Sequence, residues 1–460
     1  MKAFKYASKA YSGQYTADGD SYIDHCLEVT DILLPLKPDQ NTIIASLLHI
    51  ISETPDYNVN DLEAHFSKDV VQLVSSLSLM NKLKSAEQKS EIESLRKMFL
   101  VMAQDLRVVL IKLADRLRNM QTLDCHTVTV RKMIAKETLD IYVPISARLG
   151  IYNMKVKLED LCFQYLYPRQ FDDLKNQMNE YMLRRGKNIE EIQRELESFL
   201  RSQNLQAQVE GRIKGLYSIY KKLKAKSHSS IADIYDIFAM RIILPNRHDE
   251  KGKEVYDHLY SALGMIHSKW KPLANRFKDY AAVPKPNGYQ SLHTAVLGIS
   301  PKSFNQPTEI QIRSKRMHDE AENGVASHWI YEENKKNLSL VTKDKLEQLL
   351  GSSIRNRHYG DWIQALSKIQ NNLKEQELVE ALKLDVFSDN IFVFTPNGAV
   401  KDLPKGSTPI DFAYAVHSDV GNRCQLAKVN GAVVPLHYEL KNGEFVEIVV
   451  SPKASPKPHW

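Results

Sequence analysis

Through the first two hundred positions apolar residues return at three- and four-residue intervals, as in Ile43, Ile44, Leu47, Leu48 and Ile51, with few glycines between them. That period belongs to amphipathic helices, so residues 18–204 are expected to be nearly all helical. After Leu205 the pattern changes. Residues 234–244 and 308–313 are short, rich in β-branched side chains and bounded by Pro, Gly or Asn, with helical patterns between them. A mixed α/β domain is therefore expected over residues 206–335, followed by a polar helical linker over 336–380. From residue 385 to 450 short strands alternate with Pro-Asn-Gly and Asn-Gly turns, which predicts a small β-grasp-sized module over 381–452. No internal repeat or low-complexity run interrupts this order.

The bulk numbers limit the choices. A chain of 460 residues suits three or so domains, each with its own core. Its 62 Lys and Arg against 56 Asp and Glu leave a formal charge of +6, too mild for a protein whose whole surface grips nucleic acid. Cys26, Cys125, Cys162 and Cys424 lie far apart with no CxxC pair, so neither a disulfide framework nor a thiolate zinc site is indicated, and a reducing cytosol fits best. No segment approaches eighteen uninterrupted apolar residues, so a soluble cytoplasmic protein with no membrane partner is expected.

Between Gly211 and Arg313 the chain carries more charged and polar clusters than a packed core needs: Gly211 to Lys214, Tyr235 to Arg241, Arg276 to Asp279, Pro284 to Thr294 and Glu309 to Arg313. As a strand, the last puts Ile310 and Ile312 on one face and Glu309, Gln311 and Arg313 on the other, so one face packs and the other lines a site. Asp236 and Glu309 offer two carboxylates of the kind Mg²⁺ takes when bound to a nucleoside triphosphate. Arg212, Lys214, Lys222, Lys278 and Lys285 supply charge for phosphates, and arginine also stacks on a purine. The turn through Asn287 and Gly288 presents Tyr289 as a platform for a second base. A surface strand with solvated polar residues is the bland alternative, and Lys222, Lys285 and His293 are the members it explains most easily.

These clusters resemble the synthetase domain of the RelA/SpoT homologue family. Its motifs stand here as Gly211 to Lys222, Tyr235 to Arg241, Arg276 to Asp279, Pro284 to Thr294 and Glu309 to Trp329, the last including His318, Ala321, Glu322 and Gly324. The resemblance implies a nucleotidyltransferase-like fold that moves the β,γ-pyrophosphate of ATP to the 3′-hydroxyl of GDP or GTP, making the alarmone (p)ppGpp of the stringent response. By the same resemblance Arg212 and Arg241 sandwich adenine, and Lys214, Ser218 and Lys222 hold ATP phosphates. Tyr289 and Asn287 bind guanine, and Asp236 and Glu309 hold Mg²⁺. Glu309 is the candidate base, with Arg276, Lys278 and His293 beside the reaction and Lys285, Gln311 and Arg313 among the substrate contacts. The loop from Arg276 to Asp279 has the charge pattern common in bifunctional members, which leaves the choice between GDP and GTP open.

The first 142 residues resemble the family's all-α HD hydrolase domain, followed by a helical connector over 143–205. His25, His49 and Asp115 match metal ligands, with Asn119 one turn beyond Asp115 and Glu53 expected one turn beyond His49 on the same helix face. The family's His-Asp pair is His49-Ile50 here, its Glu-Asp pair is Glu53-Thr54, and a basic residue upstream of Tyr22 is missing. The site is thus expected to be vestigial and not to hold Mn²⁺, because a lost charged oxygen ligand takes much of the affinity with it. Residues 384–450 resemble the TGS domain, in which His417 and Arg423 would be the positions to test for contact with uncharged tRNA at the ribosome. Three other readings stay open: residual pyrophosphohydrolase activity, a nucleotide or tRNA sensor without turnover, and transfer to the 3′ end of tRNA.

Overall fold

The computed structural model describes residues 1–55, 57–84, 105–226, 231, 234, 237–274, 276–285, 288–299, 307–324, 390–396, 400–404, 406–441 and 444–451. They fall into two compact units, residues 1–379 and 380–460, each considered by itself.

The first unit begins with the helices the periodicity predicts: α1 (Lys2–Ala10), α2 (Tyr22–Leu33), α3 (Gln40–Leu47), α4 (Val59–His65), α5 (Lys68–Lys84), α6 (Leu106–Gln121), α7 (Val128–Glu137), α8 (Val143–Arg148) and α9 (Tyr152–Leu166). Side-chain oxygens cap the starts of α2, α3, α4 and α6, as where Ser21 accepts from the Asp24 amide at 3.2 Å and Asp105 from the Arg107 amide at 2.9 Å. Cys26, Val29 and Leu33 from α2 meet Val108, Ile111 and Leu117 from α6 in one apolar core.

The helix expected to carry both His49 and Glu53 ends early. It stops at Leu47, and a separate 3₁₀ turn spans Ile51–Glu53. The Ser46 carbonyl, which a continuing helix would offer to the Ile50 amide, accepts instead from His49 Nδ1 at 2.7 Å. Glu53 is consequently exposed and does not share a helix face with His49.

A 35-residue helix, α10 (Pro168–Ser202), links the helical region to a sheet. Its early residues Phe171, Leu174 and Met178 pack with Phe163 and with Ile219 of α11 (Leu216–Lys226), and its later residues Ile192, Leu196 and Leu200 pack on the sheet. The sheet contains β1 (Gln208–Ile213), β2 (Phe238–Leu244), β3 (Lys271–Pro272), β4 (Lys278–Asp279), β5 (Leu292–Leu297) and β6 (Thr308–Ser314). Its order among the described residues is β1-β2-β6-β5-β3, with β4 paired to β5, and only β2 and β6 run parallel. Met240, Ile242, Ile310 and Ile312 form the core face with Leu259, Ala262 and Ile266 of α12 (Asp257–Lys269). The helix α13 (Lys315–Asn323) contacts β2 and β6.

The second unit pairs β7 (Asn390–Phe394) with β8 (Val400–Pro404) and sets β9 (Cys424–Val429) between β10 (Ala432–Val434) and β11 (Val446–Val450). Asn430 and Gly431, with φ of 51° and 84°, make the tight β9-β10 turn that the Asn-Gly pair predicts. Phe412 of α14 (Pro409–Val416) fills the core with Val393, Leu403, Val429 and Val446. The expected linker over 336–380 lies outside the described residues.

Candidate nucleotide site

Strand register gathers the predicted residues on one face of the sheet. Arg212 is opposite Ala239, which pairs with Glu309; Arg241 pairs with Gln311, which pairs with His293, which pairs with Lys278. Paired residues share a face, so five strands line up Arg212, Arg241, Glu309, Gln311, His293 and Lys278 on the side opposite Ile310 and Ile312. At about 4.8 Å per strand, Arg212 and Glu309 lie two strands and roughly 10 Å apart at the backbone.

At the centre a chain of polar groups leads to Glu309. The Tyr289 hydroxyl lies 2.8 Å from His293 Nε2, and His293 Nδ1 lies 3.4 Å from Glu309 Oε1, which also accepts from Gln311 at 3.1 Å. Burial pushes the His293 imidazole below its ordinary value, and the nearby Lys285 and Lys278 charges push the same way against Glu309. The ring is therefore neutral near pH 7, donating from one nitrogen and accepting at the other. Lys285 Nζ lies over the rings of Tyr280 and Tyr289 at 4.8 and 5.8 Å. The Gly288 amide donates to the Lys285 carbonyl at 2.6 Å, closing the turn with φ of +72° that glycine permits.

The polar face is more covered than the alternation implies. Arg313 has no exposed surface and Gln311 is 4% exposed, because α13 lies over this side of β6. Arg313 therefore supports the site from within the fold, a correction to its expected place among the substrate contacts, and Gln311 orients Glu309. Arg241 and Arg313 share one carboxylate, Glu322, at 2.9 and 3.3 Å. Burial first, and the neighbouring Arg313 next, push the Arg241 guanidinium down to about 10. Its Nε, with Nε and Nη1 of Arg313, is buried without a hydrogen-bond partner among the described residues. Among the described residues, two guanidinium groups thus meet one carboxylate, which leaves surplus positive charge beneath the site.

Around this centre, Ser218 and Lys222 follow each other by one turn on α11, both half-buried, and the Lys214 amide donates to the Ile237 carbonyl at 2.9 Å. Arg276, Lys278 and Lys285 are exposed. Asp236 and Asn287 lie outside the described residues. Two contributors carried no local signal in the sequence: Tyr152 of α9, whose ring centroid is 4.4 Å from Arg212 Cζ, and Asp160, whose Oδ1 accepts from the Tyr217 amide at 2.9 Å; Gln290, within the cluster from Pro284 to Thr294, donates to the Ala281 carbonyl at 3.1 Å.

The helical region holds a second cluster. His25, His49 and Asp115 bring one ligand atom each within 4.8 Å of one another, all buried. His25 Nε2 and His49 Nε2 lie 3.3 and 3.7 Å from Asp115 Oδ1, Asn119 donates to the same oxygen at 2.9 Å, and Lys112 Nζ pairs with Oδ2. Burial would raise the Asp115 carboxyl, but the Lys112 charge and the two histidines hold it well below the carboxylate range. Ile50 beside them is 7% exposed. In the second unit His417 and Arg423 are exposed at either end of α15 (Ser418–Asn422), where His417 Nδ1 accepts from the Asp419 amide at 3.2 Å.

Helices, mixed sheet and small β unit together define a multidomain protein whose sheet presents a row of charged side chains on one face. Comparison with known proteins makes this specific. Family models described as HD domain, Region found in RelA / SpoT proteins, and TGS domain match residues 3–152, 211–336 and 391–450. A GTP pyrophosphokinase of Myxococcus xanthus is 42% identical over 464 residues, and the bifunctional (p)ppGpp synthase/hydrolase SpoT of Escherichia coli K12 is 40% identical over 461. Both alignments cover 100% of this chain, which spans 58% and 62% of those relatives' lengths. The small alarmone synthetase 1 of Bacillus subtilis, solved with its product pppGpp, is 21% identical with a TM-score of 0.26, over 45% of this chain and 96% of that one. The chain belongs to the RelA/SpoT family. Among the described residues no helix is long and apolar enough to cross a membrane.

Proposed function

We propose that this chain transfers the β,γ-pyrophosphate of MgATP to the 3′-hydroxyl of GDP or GTP, forming (p)ppGpp, and that its HD-type region no longer hydrolyses that product. The row of Arg212, Arg241, Glu309, His293 and Lys278 across the sheet carries the reading.

A 3′-hydroxyl is a weak nucleophile and needs a base at hand. The Glu309 carboxylate, oriented by Gln311 and neutral His293, takes its proton. The freed oxygen bonds to the β-phosphorus, the bond from that phosphorus to the α,β-bridging oxygen breaks, and AMP leaves. Arg212 and Arg241 hold adenine while Lys214, Ser218 and Lys222 hold its phosphates; Arg276 and Lys278 offset the charge in motion; Tyr289, Asn287 and Lys285 hold the guanosine nucleotide. Glu309, a half-buried carboxylate beside a positive pocket, fits as an oxygen donor to the Mg²⁺ that arrives with ATP, with Asp236 as its partner. When bound, that ion neutralises phosphate charge.

In the helical region the residues do not fit Mn²⁺. Lys112 already neutralises Asp115, and buried Ile50 offers no oxygen where the family has one. The closeness of His25, His49 and Asp115 favours a second reading, weak residual hydrolysis. Contact of His417 and Arg423 with uncharged tRNA at the ribosome belongs to the proposal as well.

The test incubates the protein with MgATP labelled at the γ-phosphate and with GDP, GTP or 3′-deoxy-GTP. Label should move to GDP and GTP with matching release of AMP, and 3′-deoxy-GTP should accept none. In a parallel arm with ppGpp and Mn²⁺, release of pyrophosphate would establish the second reading.

A further inference from the structure

We propose that Tyr152, from the helical region, is a positioning residue of the ATP site: its ring braces one face of the Arg212 guanidinium so that the other face meets adenine. This rests on the reading of Arg212 as an adenine contact. Arg212 lies on β1, at the edge of the sheet, with Arg241 close enough for the two charges to repel. An arginine so placed tends to swing out into water, and a planar guanidinium must be held flat to stack on a purine. The Tyr152 ring supplies that hold, with Arg212 Cζ 4.4 Å from its centroid, well inside the range of a cation–π contact.

The brace is itself fixed. Tyr152 opens α9, and that helix is pinned to the segment following Arg212 at several points. Asp160 accepts from the Tyr217 amide at 2.9 Å, and Glu159, buried on α9, pairs with Lys221 at 2.9 Å and Lys155 at 2.8 Å. Gly215 allows the close approach: a Cβ there would come within 2.8 Å of Val156. Just before α9, the Leu149 carbonyl lies where a Cβ on Gly324 would be, 1.9 Å away, so the same stretch also docks against the end of α13. Tyr152 is thus held on both sides of the site by contacts that do not involve the nucleotide. The opposite geometry, in which Tyr152 occupies the place of the base, predicts the opposite sign.

Steady-state transfer is measured for Tyr152→Ala and Tyr152→Phe beside the unaltered protein, with calorimetric binding of a non-hydrolysable ATP analogue and thermal melts. Y152A should raise KM for ATP and weaken analogue binding by about 3- to 30-fold, with KM for GDP within twofold of the original. Y152F, which keeps the ring, should restore both. A KM for ATP that stays put or falls in Y152A, an equal rise for GDP, or a Y152F as poor as Y152A would overturn the proposal. If the unaltered protein transfers nothing but binds the analogue, and Y152A loses that binding, the brace stands and the transferase reading falls. If the unaltered protein does not bind the analogue, both fall.

Discussion

Glu309 owes its proposed role to neighbours more than to its own position. A carboxylate on the polar face of a sheet is ordinarily solvated, but here Gln311 and His293 hold one oxygen while lysines lie near the imidazole. Because burial lowers the His293 value, the neutral ring persists as pH falls through 6.5 and is lost only further down. Transfer at saturating substrate should therefore stay level from pH 7.5 to below 6.5 and then decline, and His293→Ala should lower kcat more than it raises either KM. A pH profile that already falls above 6.5 would contradict this environment for His293. At this scale much was legible: period-two alternation through residues 309–313 put the right side chains on the polar face. The burial of Arg313 and Gln311 was not, since it depends on where α13 lies, and the alternation of a strand does not report what covers its polar side. Tyr152 was equally hidden, sixty residues ahead of the arginine it touches.

Among the elements, α13 does the most to shape the site. Its Glu322 offsets Arg241 and Arg313, and Gly324 after its end adopts φ 59° and ψ −137°, in contact with the Leu149 carbonyl. Both the backbone conformation and the space require glycine. Gly324→Ala should cost about 2–4 kcal/mol and weaken ATP binding along with stability. Gly406, with φ of +91° and open space around its Cβ position, provides the control. Its alanine variant should lose only the conformational part in a thermal melt, and equal losses would remove the docking argument. The early end of α3 shows the limit of periodicity in the other direction. Apolar spacing through residues 41–53 fits a continuous helix, but a histidine that can donate to the Ser46 carbonyl competes with the backbone, and spacing counts do not weigh that competition.

For the molecule as a whole, the order of helical region, mixed sheet and small β unit followed from composition and period, since each class leaves its own mark over tens of residues. The proposal that the HD-type region is inactive rests on two substitutions read in the sequence, and the structure adds Lys112 as the charge that accompanies Asp115. Mn²⁺ should leave the melting temperature of the unaltered protein unchanged. Ile50→Asp buries a carboxylate in an apolar setting and should destabilise the metal-free protein by about 1–3 kcal/mol, with Mn²⁺ restoring part of the loss. A clear Mn²⁺-dependent rise for the unaltered protein would mean that His25, His49 and Asp115 still bind the ion.

Pyrophosphate transfer on one sheet face, with Glu309 as base, is the step on which the proposed function depends. Its most direct measurement follows label from γ-labelled MgATP onto GDP or GTP for the unaltered protein and for Glu309→Gln, with binding of the ATP analogue recorded for both. The unaltered protein should transfer label, and E309Q should lose at least about a hundredfold of that rate with nucleotide binding within a few fold. Transfer by E309Q at near the original rate, or none by the unaltered protein despite bound nucleotide, would contradict that mechanism.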